Sequence, residues 1–84
     1  MSVPIKENSL AAKVRRVVLF DRARAALGGV QLADALGVSR RAITYKASSE
    51  RGLSDYDIRA VAEAVDARAA ELAKLAADLR EMAA

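Results

Sequence analysis

Charge is the chemistry this sequence holds in quantity. Its 84 residues include fourteen lysines and arginines and eleven aspartates and glutamates, but neither histidine nor cysteine. Their absence excludes disulfides and the usual zinc sites, and most nucleophile–base pairs used in covalent catalysis. The carboxylates form no defined acid–base pair: Asp55 and Asp57 are better explained as helix-start charges, which the helix dipole favours. No enzyme activity, metal or cofactor is therefore expected. Recognition of a polyanion is the chemistry that remains. Residues 1–53 carry ten basic and four acidic side chains, a net +6, and include the adjacent pair Arg40 and Arg41. Residues 54–84 carry four basic and seven acidic, a net −3. A basic half suits a polyanion and an acidic half suits facing away from one, although charges can also simply solvate helix faces. A membrane surface fits less well, because the basic half lacks Trp and has no strong basic amphipathic face.

The elements that must position these charges are helices. Twenty alanines stand against four glycines and one proline, a composition that favours helix. No apolar run approaches the roughly 18 residues of a membrane span, and no secretory pattern opens the chain, so a cytoplasmic all-α protein is expected. A chain this short buries only about 60% of its unfolded surface, which makes oligomerisation the expected extra source of stability. Residues 1–8, with Pro4, read as a flexible arm. Ser9 caps a helix to Leu27, where Gly28-Gly29 stops it. Leu10, Val14, Val17, Val18 and Leu27 recur at three- and four-residue spacing, so they predict a buried stripe widened by Leu19 and Phe20. Arg15, Arg16, Arg22 and Arg24 then fall on the outer side. A short helix over 30–36 ends at Gly37, and Ser39 caps a third helix to about Ala47. Residues 47–52 read as a loop. Ser54 caps a fourth helix that nothing breaks before the end of the chain.

The segment GVQLADALGVSRRAITYKAS, residues 29–48, resembles the helix-turn-helix of prokaryotic and phage repressors, including the Cro-like group. Residues 9–53 would form that DNA-binding region. Its residues also have mechanical reasons. Ala33 is small where two helices cross, Gly37 suits a left-handed turn, and Val38 plugs the gap beneath it. Leu32, Leu36 and Ile43 face inward. With Ile43 buried, Arg40, Arg41, Thr44 and Tyr45 fall on the opposite side of the third helix. The resemblance implies that this helix, residues 39–47, lies in the DNA major groove. Arg40 and Arg41 are then candidates for bidentate contacts to guanine, and Thr44 for a thymine methyl group. Tyr45 suits a base or a phosphate. Gln31 and Ser39, at helix starts, suit phosphates that set register. Lys46 departs from the family, which often has an apolar residue there. Either the helix ends early, or the lysine stem lies along the core and its amine reaches a phosphate.

The last helix, within residues 54–84, would run about 43 Å from Ser54 to Met82 at 1.5 Å per residue. That is longer than so small a domain can cover. Ile58, Val65, Leu72 and Leu79 form one heptad series; Val61, Arg68, Leu75 and Met82 form another, offset by three. These are the a and d positions of a coiled-coil seam, flanked by the small residues Ala62, Ala69, Ala76 and Ala83. Leu72, Leu75, Ala76, Leu79 and Met82 are the expected dimerisation residues. Arg68, the charge in the seam, marks a handover: Ile58, Val61 and Val65 complete the domain core, and the seam beyond binds a second chain.

Together these readings predict a homodimeric, sequence-specific DNA-binding regulator, a repressor reading a palindromic operator on double-stranded DNA in the nucleoid. No membrane contact or small-molecule ligand is expected. Two other classes share features. Phage small terminase subunits also resemble a helix-turn-helix joined to an oligomerising helix, which implies DNA packaging or an architectural role in a ring. An antitoxin-like adaptor would instead dock its long helix on another protein.

Overall fold

The computed structural model describes residues 10–48 and 52–84. Four helices follow one another: α1 (Leu10–Leu27), α2 (Gly29–Leu36), α3 (Arg40–Ser48) and α4 (Asp55–Ala83). No strand occurs among the described residues, so the fold is all-α as the composition predicts. No described helix is long and apolar enough to cross a membrane. The arm over 1–8 and the Ser9 cap lie outside the described residues, as do 49–51 of the expected loop. Ala47 and Ser48 of that loop instead form the last turn of α3.

Each boundary has a local cause. Gly28 adopts φ 87, its N–H closes α1 on the Arg24 carbonyl at 2.9 Å, and its own carbonyl accepts from Leu32 at 3.1 Å. One glycine thus stops α1 and starts α2, which is why Gly29 is already helical rather than part of the stop. Gly37 closes α2 in the left-handed region, φ 66 and ψ 33. There Val38 N–H reaches Ala33 O at 3.0 Å and Gly37 N–H reaches Asp34 O at 3.1 Å, which satisfies two end carbonyls in a Schellman arrangement. Ser39 Oγ accepts from Ala42 N–H at 3.2 Å, capping α3. At α4, Ser54 Oγ accepts from Asp57 N–H at 3.1 Å while Asp57 Oδ2 accepts from Ser54 N–H at 3.2 Å. This reciprocal box satisfies two orphan donors.

The core is small. Phe20, Leu32 and Ile43 are fully buried, joined by Ala23, Leu27, Ala33, Leu53 and Val61. Leu36, Val38, Ala47, Ile58 and Ala64 pack against them half-buried. On α1 the expected stripe is corrected. Leu10, Val14, Val18 and Leu19 are exposed and Val17 is half-buried, whereas Phe20 and Leu27 of that stripe are buried, with Ala23 on their face. The reason is angular. At 100° per residue, positions 20, 23 and 27 share a face that excludes 10, 14 and 18. Arg16 lies on the side of that face and is not an outer residue. Its guanidinium donates to Leu53 O at 3.0 Å and to Asp55 Oδ1 at 2.6 Å, tying α1 to the start of α4. On α4, Val61 is buried and Ile58 half-buried, but Val65 is exposed. The core-facing stretch therefore ends near Ala64, about a turn before Arg68.

This assignment of faces is testable. Phe20→Ala should cost about 3–5 kcal/mol, the usual loss for a buried aromatic. Val18→Ala should stay within about 0.5 kcal/mol. Urea unfolding followed by circular dichroism measures both, and comparable losses would contradict burial of the Phe20 face.

Candidate nucleic-acid interface

Every residue expected to face outward on α3 does so. Arg40, Arg41, Thr44 and Tyr45 are exposed, Tyr45 at 74%, while Ile43 between them is fully buried. Helical spacing produces this. Positions 41, 44 and 45 share one face, and that face lies opposite Ile43. Ser39 and Gln31 are exposed at the starts of α3 and α2. The Arg40 side chain folds back across the start of α2: a Cβ built on Gly29 would meet Arg40 Nε at 3.4 Å.

Two contacts are not legible in the sequence. Arg24 of α1 donates from Nη2 to Thr44 Oγ1 at 3.2 Å, so α1 adds a guanidinium to the exposed α3 face. Spacing alone makes Arg24 no more than an outer residue of α1. Twenty residues separate the two partners, so nothing local signals the pairing. The second contact concerns Lys46. Its amine lies 3.4 Å from both carboxylate oxygens of Asp57. The helix does not end before Lys46, and its stem runs inward, in line with the second of the two expected arrangements. The amine, however, turns to a protein carboxylate at the start of α4.

Asp57 is buried, with 9% of its side chain exposed, while Lys46 keeps 35%. The carboxylate is thus held twice, by the cap hydrogen bond from Ser54 N–H and by the Lys46 amine. A buried charge is tolerated only with such partners. Through them the C-terminal half of α3 is fastened to the first turn of α4, and the outward face of α3 is fixed relative to the domain.

The seam residues of α4 are also outward. Leu72, Leu75, Leu79 and Met82 are exposed, and Ala76 is half-buried. Arg68 pairs with Glu71 Oε2 at 3.2 Å on the same helix. No family model matches the chain, and no curated protein or solved structure is significantly similar to it.

The Asp57 node makes a graded prediction. Lys46→Met keeps the apolar stem but leaves the buried Asp57 carboxylate with only its cap partner, so the loss should be about 1–2 kcal/mol, more than an exposed pair costs. Asp57→Ala removes the pair and the cap bond together, and should cost more, about 1–3 kcal/mol. Urea midpoints of both variants equal to that of the unmodified protein would show that Asp57 holds nothing together.

Proposed function

We propose that the chain is a homodimeric, sequence-specific DNA-binding protein, a repressor whose α2, Gly37 turn and α3 act as a helix-turn-helix. The observation that carries this proposal is the outward face of α3. Arg41, Thr44 and Tyr45 stand exposed opposite buried Ile43, with Arg40 and Arg24 beside them. In this proposal α3 enters the major groove. Arg40 and Arg41 present guanidiniums to guanine edges, and Thr44 and Tyr45 meet neighbouring bases or phosphates. Ser39 and Gln31, at the two helix starts, hold phosphates. Lys46 is left out of the DNA-facing set because its amine rests on Asp57. The +6 charge of residues 1–53 supports the polyanion side of the proposal, and the exposed leucines of α4 support pairing of two copies. Two copies related by a two-fold axis would read an imperfect palindrome with half-sites about one turn, or 34 Å, apart.

The test is selection of sheared source-genome DNA by the purified protein at near-physiological salt, followed by sequencing. A few sharp sites sharing a palindrome are expected. Diffuse enrichment would favour a packaging or architectural role, and no retained DNA would leave α2 and α3 as scaffold. On a selected site, Arg41→Ala should lower the preference over random duplex by about 5- to 150-fold, equivalent to about 1–3 kcal/mol. Fluorescence anisotropy on both duplexes measures this. Equal losses on the two would contradict base reading by Arg41.

A further inference from the structure

An apolar groove of about 310 Å³ opens between α1 and α4, walled by Leu19, Phe20 and Ala23 on one side and by Ile58, Val61 and Val65 on the other. Beyond it the second half of α4 leaves the domain with Leu72, Leu75, Leu79 and Met82 exposed. A groove without an occupant and a helix without a bed thus occur on the same chain. We infer that each fills the other: two copies pair their α4 helices antiparallel, and the tail of one lies in the α1–α4 groove of the other. This rests on the self-pairing in the function proposed above and adds its direction and register.

Charge decides the direction. In a parallel, in-register seam Arg68 would face its own copy, and Glu71 and Asp78 at g positions would face Ala76 and Ala83 at e. Two Arg68 side chains would then meet in the seam, and Glu71 and Asp78 would gain no partner from the other helix. An antiparallel pair centred at residue 70 behaves differently. Its outer layers match Val65 with Leu75, Val61 with Leu79 and Ile58 with Met82, all apolar, and its two central layers set Arg68 beside Leu72 instead of beside another Arg68. Arg68 of one copy comes within about 1.5 Å along the axis of the level of Glu71 on the other. Both lie on the same side of the seam, so the Arg68–Glu71 pair now made within one helix extends across two. Arg68 Nε, enclosed and without a hydrogen-bond partner among the described residues, lies at this junction.

The opposite side of the seam carries Ala62, Ala69 and Ala76, small enough for the backbones to approach. The groove wall is weakly complementary too: α1 has five basic residues against Asp21, a net +4, whereas the tail of α4 beyond Arg68 has three acids against two bases, a net −1. Finally, this register separates the two Val61 positions by about 27 Å along the helix pair. The domains therefore stand apart on a scale comparable to one DNA turn, about 34 Å, whereas a parallel seam would set them side by side.

Because the chain has no cysteine, single-cysteine variants report register cleanly. Ala69→Cys places two thiols across the antiparallel axis, and mild oxidation should cross-link the full-length protein to a dimer. Met82→Cys places them about 36 Å apart and should leave it uncross-linked, while in a parallel seam this pair would meet. Cross-linking of Met82→Cys without Ala69→Cys would overturn the register while leaving a dimer. A monomer in sedimentation equilibrium of the unmodified protein at micromolar concentration would overturn the pairing itself. Neither result depends on DNA, so a failure of DNA recognition would be seen separately.

Discussion

The orientation of α3 depends on one buried carboxylate. Asp57 caps α4 through Ser54 and accepts the Lys46 amine from α3. A charge in so small a core is costly unless its lone pairs are filled, and here both partners come from sequence-distant or helix-start positions. The same residue that starts the longest helix therefore anchors the end of α3. Arg16 plays a parallel part on the other side, joining α1 to Leu53 and Asp55. Two polar ties thus converge at the start of α4, in a molecule whose buried apolar core among the described residues amounts to eight side chains.

That economy explains how the molecule divides its labour. Residues 10–48 and 52–64 form the packed body, with three side chains fully enclosed and the rest nearer its margin. A body with so little burial gains little from its own core, and α4 continues well past it with its leucines exposed. The exposed surface falls into two kinds. One is polar and basic, around Arg24, Arg40, Arg41, Thr44 and Tyr45; the other is apolar, along the α1–α4 groove and the far half of α4. Under the proposed function, the first meets DNA and the second meets another copy.

Much of this was legible in the residues. Gly37 with Ser39 marked the turn between α2 and α3, and Ser54 with Asp57 marked the start of α4, because caps and left-handed turns are local chemistry. Ile43 and Leu32 were legible as core because short helices have only one face to bury. The face of α1 was legible only at Phe20 and Leu27. Its valines at 14, 17 and 18 follow helical spacing as well as Phe20, Ala23 and Leu27 do, and only the placement of α2 and α4 selects between the two faces. The Arg24–Thr44 and Lys46–Asp57 contacts, which join residues on different helices, were not legible. Long flexible cations reach partners that periodicity does not encode.

The central claim, that the exposed α3 face is where nucleic acid is met, is tested most directly by amide NMR of the isotopically labelled protein titrated with a selected duplex. The largest shifts should fall on Gln31 and on residues 39–45, with Arg24 following through Thr44 and the far half of α4 little changed. Shifts concentrated on α4 beyond Ala64, or a spectrum that duplex DNA leaves unchanged, would contradict it.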